Sequence, residues 1–478
     1  MGSPFNDTDE PLTPAGRLFL RPELNQIIQC VVGLKNPVDV DAITSEVRNS
    51  IMVQHPRFTS LMVRDSRGRE HWRKTEIDLK QHLIVIDQPV STKSNDELAV
   101  NDYMADLSTD ASGLSTDKPL WEIHLLTAHK CMLFRIHHAL GDGVSLMSLL
   151  LACCRKVDDP DALPMVVTGS STKRRKRTWW DWRVLWGILT MVWFNFIYVV
   201  EFILRSLWLC DRKTAITGGA GVELWPRKLA TARFSLEDMK VVKKTVANGT
   251  INDVLFGIIS SGISRYLDHR APNALQDGFR VTGVAMVNLR EQRGLQDVSN
   301  LMRGNSGTRW GNKFGIVLLP VFYQRSGGSD PLAYLKRAKV MIERKKQSVE
   351  AHFSYKIGDF VMSYLGAKLA GMLNYRILSN TTFTISNVLG PQEEIMIGTN
   401  PVTFLRVTLS GLPHALTMHM LSYAGKADMQ ILVAKDIIPD PEFLAKCFED
   451  ALLEMKEMAV ATTNIEEKKN VTNIQRDT

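Results

Sequence analysis

Residues 131–154 constrain the fold most, because a strand pattern and a helix pattern are separated by a turn of only a few residues. Cys131–Ile136 is mostly apolar and predicts a short buried strand. Val144–Cys154 is apolar almost throughout and predicts a buried helix, with Asp142 at its N-cap. The intervening Ala139–Gly143 holds two glycines and an aspartate, which are turn residues. Rigid elements therefore hold this turn on both sides, as is common for functional loops.

The turn also contains side chains that could take part in catalysis. Its sequence, with the preceding histidines, is His137-His138-Ala-Leu-Gly-Asp142-Gly143. Histidine titrates near neutral pH and can remove the proton that makes an alcohol a poor nucleophile. We therefore predict acyl transfer to an alcohol. Asp142 either pairs with an arginine and fixes the loop, or orients a histidine. The structural alternatives are a histidine pair that only packs and an aspartate that only caps a helix.

A metal site is not predicted. Histidine and aspartate are metal ligands, but no third ligand is close in the sequence. Neither a Cys-x-x-Cys nor a His-Glu-x-x-His pattern occurs.

The seven-residue motif resembles the active-site motif of the wax ester synthase/diacylglycerol acyltransferase family. That family is grouped with the chloramphenicol acetyltransferase-like acyltransferases and the condensation domains of peptide synthetases. The plant-type members are similar in length and in an apolar insert. Further resemblances follow in chain order: Pro11-Leu-Thr-Pro14, Pro119-Leu120-Trp121-Glu122, Thr250-Ile-Asn252-Asp253-Val-Leu, Val287-Asn288-Leu-Arg290, Gly311-Asn312 and Ser386-Asn387-Val-Leu-Gly390-Pro391.

The resemblance implies an α/β (α+β) fold of two chloramphenicol acetyltransferase-like halves. Each half is expected to have a mixed sheet with flanking helices, and an active-site tunnel is expected between them. We divide the chain into a first half at 1–165, a linker with an apolar segment at 166–230, a second half at 231–461 and a polar, disordered tail at 462–478.

Site roles also follow from the resemblance. His138 is expected to be the general base, and His137 and Asp142 to shape and support its loop. Supporting roles fall to Gly143, Asn387 and Ser386. Structural roles are expected for Pro119, Leu120 and Trp121, the last in the core or in the tunnel wall, and for Asn252 and Asp253, as a helix cap or in contact with substrate.

Attack on a thioester creates an oxyanion that needs hydrogen-bond donors. Backbone N–H groups near Gly143 and the side chains of Asn387 and Ser386 are all candidates, and the sequence does not choose among them. No Gly-x-Ser-x-Gly motif occurs, so we expect direct transfer rather than a serine acyl-enzyme.

The implied activity is O-acyl transfer from acyl-CoA, a co-substrate, to a long-chain alcohol or to diacylglycerol, without a cofactor. One alternative is transfer to another acceptor such as a small aromatic alcohol, but the Asp-Phe-Gly-Trp-Gly box of that plant family is missing. The other alternative is a non-catalytic lipid-binding protein, which the intact His138 and Asp142-Gly143 argue against.

The segment at about 184–210 predicts membrane attachment. Val184–Val200 has no charged residue, and the basic run Lys173–Arg177 and four tryptophans precede or begin it. A single crossing would put the two halves on opposite sides of the membrane, so we predict a re-entrant hairpin or an interfacial helix. A soluble core helix is the remaining alternative. The Glu201–Arg205 spacing predicts an ion pair on one helix face.

The charge of the chain and its expected substrates indicate where it works. The net charge of +7 suits lipid headgroups or the phosphates of acyl-CoA, whereas no nucleic-acid-binding signature is present. We expect the endoplasmic reticulum membrane, with the plasma membrane as an alternative, and the motif on the cytosolic side.

Overall fold

The computed structural model describes residues 9–66, 68–91, 95–109, 113–164, 182–290, 310–325 and 330–474. The basic run Lys173–Arg177 and the tryptophans at 179 and 180 lie outside these residues. The chain is α/β with two large mixed sheets, which confirms the predicted fold class.

Sixteen strands are formed in the part of the chain that is described. They are β1 (Glu10–Pro11), β2 (Ile27–Leu34), β3 (Ser60–Arg64), β4 (Glu70–Lys74), β5 (Leu83–Ile86), β6 (Trp121–Leu126), β7 (Cys131–His137), β8 (Arg155–Lys156), β9 (Arg227–Ser235), β10 (Arg280–Asn288), β11 (Phe314–Phe322), β12 (Phe383–Val388), β13 (Ile395–Ile397), β14 (Asn400–Leu409), β15 (Leu416–Tyr423) and β16 (Lys426–Ala434).

The α-helices of the same residues are α1 (Pro14–Phe19), α2 (Val40–Asn49), α3 (Asp96–Leu107), α4 (Gly143–Ala152), α5 (Trp182–Leu207), α6 (Leu236–Lys243), α7 (Ile251–Arg270), α8 (Pro331–Gln347), α9 (Glu350–Phe360), α10 (Ala367–Ser379) and α11 (Pro441–Ile474). A π-turn at Val361–Leu365 joins α9 to α10.

The first sheet has seven strands in the order β5-β6-β7-β2-β14-β13-β8. β7, which carries the motif, pairs antiparallel with β2, so that Ile27 lies opposite His137. One face of this sheet is covered by α2 and α4. The motif therefore emerges at the end of a central strand and leads directly into a helix that packs back on the same sheet.

The second sheet has six strands in the order β11-β10-β12-β15-β16-β9. It contacts the first sheet, and the contact includes a buried ion pair at 2.7 Å between Arg406 Nε on β14 and Asp428 Oδ2 on β16. Asn101 of α3 also donates to the Thr231 hydroxyl across the junction. The motif loop, the end of β12 and the middle of β15 lie at the same junction.

The predicted division into two consecutive halves does not hold for β13 and β14. The sequence assigns residues 231–461 to the second half, but these two strands return to the first sheet. β14 pairs antiparallel with β2, with Val407 opposite Cys30. Alternating apolar residues predict a strand but not its partner, so the crossing could not be read from the pattern.

The strand predicted before the motif and the helix predicted after it are both confirmed to within two residues. The prediction of a disordered tail at 462–478 is wrong for the residues described, because α11 continues as far as Ile474. No proline or glycine follows Pro441, and the added residues include glutamates and lysines, which favour helix.

The apolar segment forms one uninterrupted helix, α5, so the hairpin alternative is wrong for the residues described. One face packs on the second half: Phe202 is buried against Phe353, and Arg205 donates to Thr282 and to the Asn380 carbonyl. Arg205 also pairs with Asp211, just beyond the end of α5. The predicted Glu201–Arg205 pair is present at 2.9 Å.

The opposite face of α5 is bare, which excludes a soluble core helix. Trp186, Leu189, Trp193 and Phe196 are each 54–61% exposed. By length and composition Trp186–Leu207 could cross a membrane.

Candidate active site

The motif loop is a short 3-10 turn, His138–Leu140, set between β7 and α4. Asp142 is the N-cap of α4, as predicted, since its Oδ1 accepts the backbone N–H of Ser145 at 3.0 Å. The loop is thus held at one end by a central strand and at the other by a capped helix.

Both ring nitrogens of His137 are hydrogen-bonded to residues of the first half. Its Nδ1 accepts the N–H of Ala139 at 3.1 Å, so Nε2 carries the proton and donates to Asn25 Oδ1 at 3.0 Å. Burial, and then the neighbouring His138, lower its pKa from 6.5 to about 3. His137 is therefore a neutral, buried residue that shapes the loop.

His138 is oriented by an asparagine from the second half. Asn312 Nδ2 donates to the His138 carbonyl at 2.9 Å, which leaves Oδ1 as the acceptor facing the ring. His138 Nδ1 lies 3.0 Å from that oxygen and must therefore be the protonated nitrogen. The ring also packs against Phe19 in a tilted arrangement, with centroids 4.2 Å apart.

The unprotonated Nε2 of His138 is available as a base. It has no hydrogen-bond partner among the residues that the structure describes, and the ring lines a cavity between the halves. Burial lowers the pKa of His138 below 6.5, against an opposing effect of the Asp142 charge. The imidazole is consequently neutral at physiological pH and can accept a proton.

Asp142 pairs with an arginine and does not orient a histidine. Its Oδ2 accepts from Arg290 Nη1 at 2.7 Å and from the N–H of Lys313 at 3.1 Å. Arg290 also donates to the Ser145 hydroxyl and to the Gly311 carbonyl, at 3.0 and 2.6 Å. The Asp142 and Arg290 side chains are 9% and 4% exposed, so this is a buried clamp between the halves.

The cavity brings together residues from both halves and holds about 820 Å³ of space, part of it open to solvent. Its walls include His138, Gly143, Ser386, Asn387 and His419. All of these except His419 were singled out from the sequence.

Asn387 is paired with Asn252. Its Nδ2 donates to Asn252 Oδ1 at 2.8 Å, whereas its own Oδ1 is buried without a partner among the described residues. Asn252 is therefore not a helix cap. The cap of α7 is Thr250, which forms a capping box with the fully buried Asp253.

The Pro119-Leu120-Trp121 segment supports the site from behind. The Leu120 carbonyl accepts the His137 N–H at 3.0 Å, and the Pro119 carbonyl accepts the N–H of Trp121 at 2.8 Å. The Trp121 ring is buried, donates to the Phe58 carbonyl at 2.9 Å and stacks on His82. Trp121 thus belongs to the core.

A second, apolar chamber adjoins the cavity and was not foreseen. It lies between the first sheet and helices α2 and α4 and contains about 960 Å³ of space, part of it open. Ile28, Gly143, Val388 and Val407 line both spaces, so the chamber adjoins the cavity at these residues. Its size and apolar walls suit an alkyl chain.

Three residues of the site have no role predicted from the sequence: Arg290, Asn312 and His419. The first two stand in quoted motifs, but nothing local indicates which loop they contact. His419 has a weak signal, a single imidazole between Met418 and Met420 in an otherwise apolar strand pattern. No cluster of His, Cys, Asp or Glu that could hold a metal occurs among the described residues.

Two family models match the sequence. Residues 35–255 match the wax ester synthase/diacylglycerol acyltransferase catalytic domain, and residues 310–456 match the WS/DGAT C-terminal domain. Together these matches cover more than half of the chain and include the motif loop, Asn312 and His419.

Two similar proteins come from Arabidopsis thaliana. Wax ester synthase/diacylglycerol acyltransferase 11 is 35% identical over 467 residues, covering 94% of this chain and 95% of the relative. Wax ester synthase/diacylglycerol acyltransferase 5 is 36% identical over 481 residues, covering 94% of each.

Solved structures share the fold at low identity. The wax ester synthase/diacylglycerol acyltransferase from Marinobacter aquaeolei VT8 has a TM-score of 0.59 at 16% identity, covering 94% of this chain and 99% of that one. A trichothecene 15-O-acetyltransferase from Fusarium sporotrichioides has a TM-score of 0.60 at 13% identity, covering 94% and 95%.

Proposed function

The chain belongs to the wax ester synthase/diacylglycerol acyltransferase family and is an acyltransferase, and we propose that it moves a fatty acyl group from acyl-CoA to a long-chain alcohol or diacylglycerol. One observation carries the proposal: His138 presents an unprotonated nitrogen to a cavity that adjoins an apolar chamber.

In the proposed reaction His138 Nε2 takes the hydroxyl proton of the acceptor as its oxygen attacks the thioester carbonyl. General base catalysis of this kind contributes about 10²–10⁴-fold. Collapse of the tetrahedral intermediate breaks the C–S bond, and the thiolate recovers the proton from His138. Asn312 keeps the ring in the tautomer that this cycle requires.

Gly143 is proposed to bind the oxyanion through its backbone N–H. It is the first residue of α4 and lines the cavity. The first N–H groups of a helix have no partner inside the helix, and the helix dipole favours negative charge there. Asn387 already donates to Asn252, which makes it a weaker candidate.

The apolar chamber is proposed to hold the acyl chain. Gly143 lines both the cavity and the chamber, so a carbonyl bound there could place its tail in the chamber. The acceptor would then approach His138 through the open side of the cavity. The chamber walls are almost wholly apolar, as an alkyl chain requires.

Membrane contact is proposed through the bare face of α5, lying flat in the interface. Contacts with the second half argue against a spanning helix, because they occur at two places along α5. Arg205 donates to Thr282 and to the Asn380 carbonyl, and Asn195 accepts the N–H of Val349. Neighbouring apolar side chains are also exposed: Leu224, Trp225, Phe360, Tyr364, Leu365 and Met372. We propose the cytosolic face of the endoplasmic reticulum, where both alkyl substrates would partition into the lipid.

Vesicle flotation tests the membrane proposal. Trp193→Glu should reduce binding to phosphatidylcholine vesicles, since the indole is 60% exposed on the bare face. Leu453→Glu on α11, 52% exposed, is the matched control and should bind as the native protein does. Equal flotation of both variants would contradict the proposed face.

Product analysis tests the activity. The native protein should convert labelled palmitoyl-CoA and hexadecanol to wax ester, or palmitoyl-CoA and a diacylglycerol to triacylglycerol. His138→Ala should abolish turnover while leaving the fold intact. His352→Ala, on the exposed side of α9, is the control and should be fully active. Thioester binding without any ester product would favour a lipid-binding protein instead.

A further inference from the structure

His419 faces the reaction cavity from the second half, opposite the motif loop. It lies on β15 between β12 and β16, in register with Ser386 on one side and Gln430 on the other. The residue is 5% exposed, yet its ring lines the cavity. Its place is set by two neighbouring strands and not by a mobile loop.

The ring of His419 lacks the contacts that a structural histidine would have. Nδ1 is buried with no hydrogen-bond partner among the described residues. His414, just before the same strand, provides the contrast: its two nitrogens are bonded to the hydroxyls of Thr384 and Thr381 at 2.9 and 3.0 Å. Buried polar groups without partners are costly, so one at a cavity wall indicates a ligand contact.

The imidazole of His419 is neutral near pH 7 and can donate a hydrogen bond. Burial, and then the nearby His138, lower its pKa from 6.5 to about 4. A neutral imidazole has one N–H and can polarise a carbonyl without competing for the proton that His138 must take.

We propose that the His419 N–H donates a hydrogen bond to the thioester carbonyl oxygen, and so acts as a catalytic residue opposite His138. This inference rests on the proposed function. The hydroxyl proton still goes to His138 Nε2 and then to the departing thiolate, and His419 neither gains nor loses a proton. The oxyanion would thus be bound by two donors, the His419 imidazole and the Gly143 N–H.

Two substitutions separate a donor from a packing residue. His419→Phe removes the N–H and should lower kcat about 10²–10³-fold, the usual effect of losing an oxyanion donor. His419→Gln offers an amide N–H and should restore at least about tenfold of that loss. His414→Phe is the control and should lower thermal stability without a comparable loss of kcat in the folded fraction. Should His419→Phe not fold, His419→Leu carries the same expectation.

Infrared spectroscopy of bound substrate gives a readout that packing alone would not change. ¹³C-carbonyl palmitoyl-CoA bound to the inactive His138→Ala protein should show a thioester stretch shifted to lower frequency. The shift should be smaller in His138→Ala/His419→Phe and partly restored in His138→Ala/His419→Gln. An equal shift in all three, or equal kcat for His419→Phe and His419→Gln, would overturn the inference. Full activity of His138→Ala itself would instead overturn the proposed function.

Discussion

The buried Asp142–Arg290 pair predicts a large and separable loss of stability when Asp142 is changed. Asp142→Ala leaves the Arg290 guanidinium, 4% exposed, without its carboxylate. Breaking one partner of a buried pair costs about 3–5 kcal/mol. The same change removes the cap of α4, which costs about 1 kcal/mol. We expect a total near 4–6 kcal/mol in the free energy of unfolding.

Asp142→Asn separates the two contributions, because asparagine caps helices about as well as aspartate. It should therefore lose about 3–5 kcal/mol, the ion-pair part alone. Arg290→Met in the Asp142→Asn background removes the stranded charge and should recover much of that loss. Urea unfolding followed by tryptophan fluorescence and by circular dichroism measures these three variants and Arg290→Met alone, which completes the double-mutant cycle.

Two results would refute this reasoning. A loss below about 1 kcal/mol for Asp142→Asn would mean that the pair is effectively exposed. Additive losses in the double variant would mean that Asp142 and Arg290 do not interact, since coupled neighbours depart from additivity. Either result would contradict the conclusion that the Asp142–Arg290 pair stabilises the contact between the halves.

Three further predictions concern turnover. Asn312→Leu should lower kcat about 10–100-fold, less than loss of the base itself, because the His138 tautomer is no longer fixed; an unchanged kcat would contradict this. Since burial lowers the pKa of His138 below 6.5 and the neutral ring is the active form, kcat/KM should be level above pH 6.5 and fall below it; an inflection above pH 6.5 would count against His138. Leu149→Trp, in the chamber wall, should shift preference in an acyl-CoA panel toward shorter chains, whereas an unchanged profile would place the acyl chain elsewhere.

The helix α5 shows which structural features can be predicted from local composition and which cannot. Its length, its apolar character and the Glu201–Arg205 pair all follow from the order of residues along the chain. Which side of the helix is covered depends on Asp211, Thr282 and Asn380, which are distant from one another in sequence. The hairpin alternative was wrong because the segment forms one uninterrupted helix. The pattern along the chain does not show that these residues contact α5.

The sequence by itself determined the strand, the turn and the capped helix around His138, since these depend on neighbours within a few residues. It also determined, through resemblance, the fold class and the family. Tertiary structure alone decided that Asn312 sets the His138 tautomer, that Arg290 binds Asp142 and that His419 faces the cavity. Each of these contacts joins residues more than a hundred positions apart, and such pairing is fixed by how the two sheets pack.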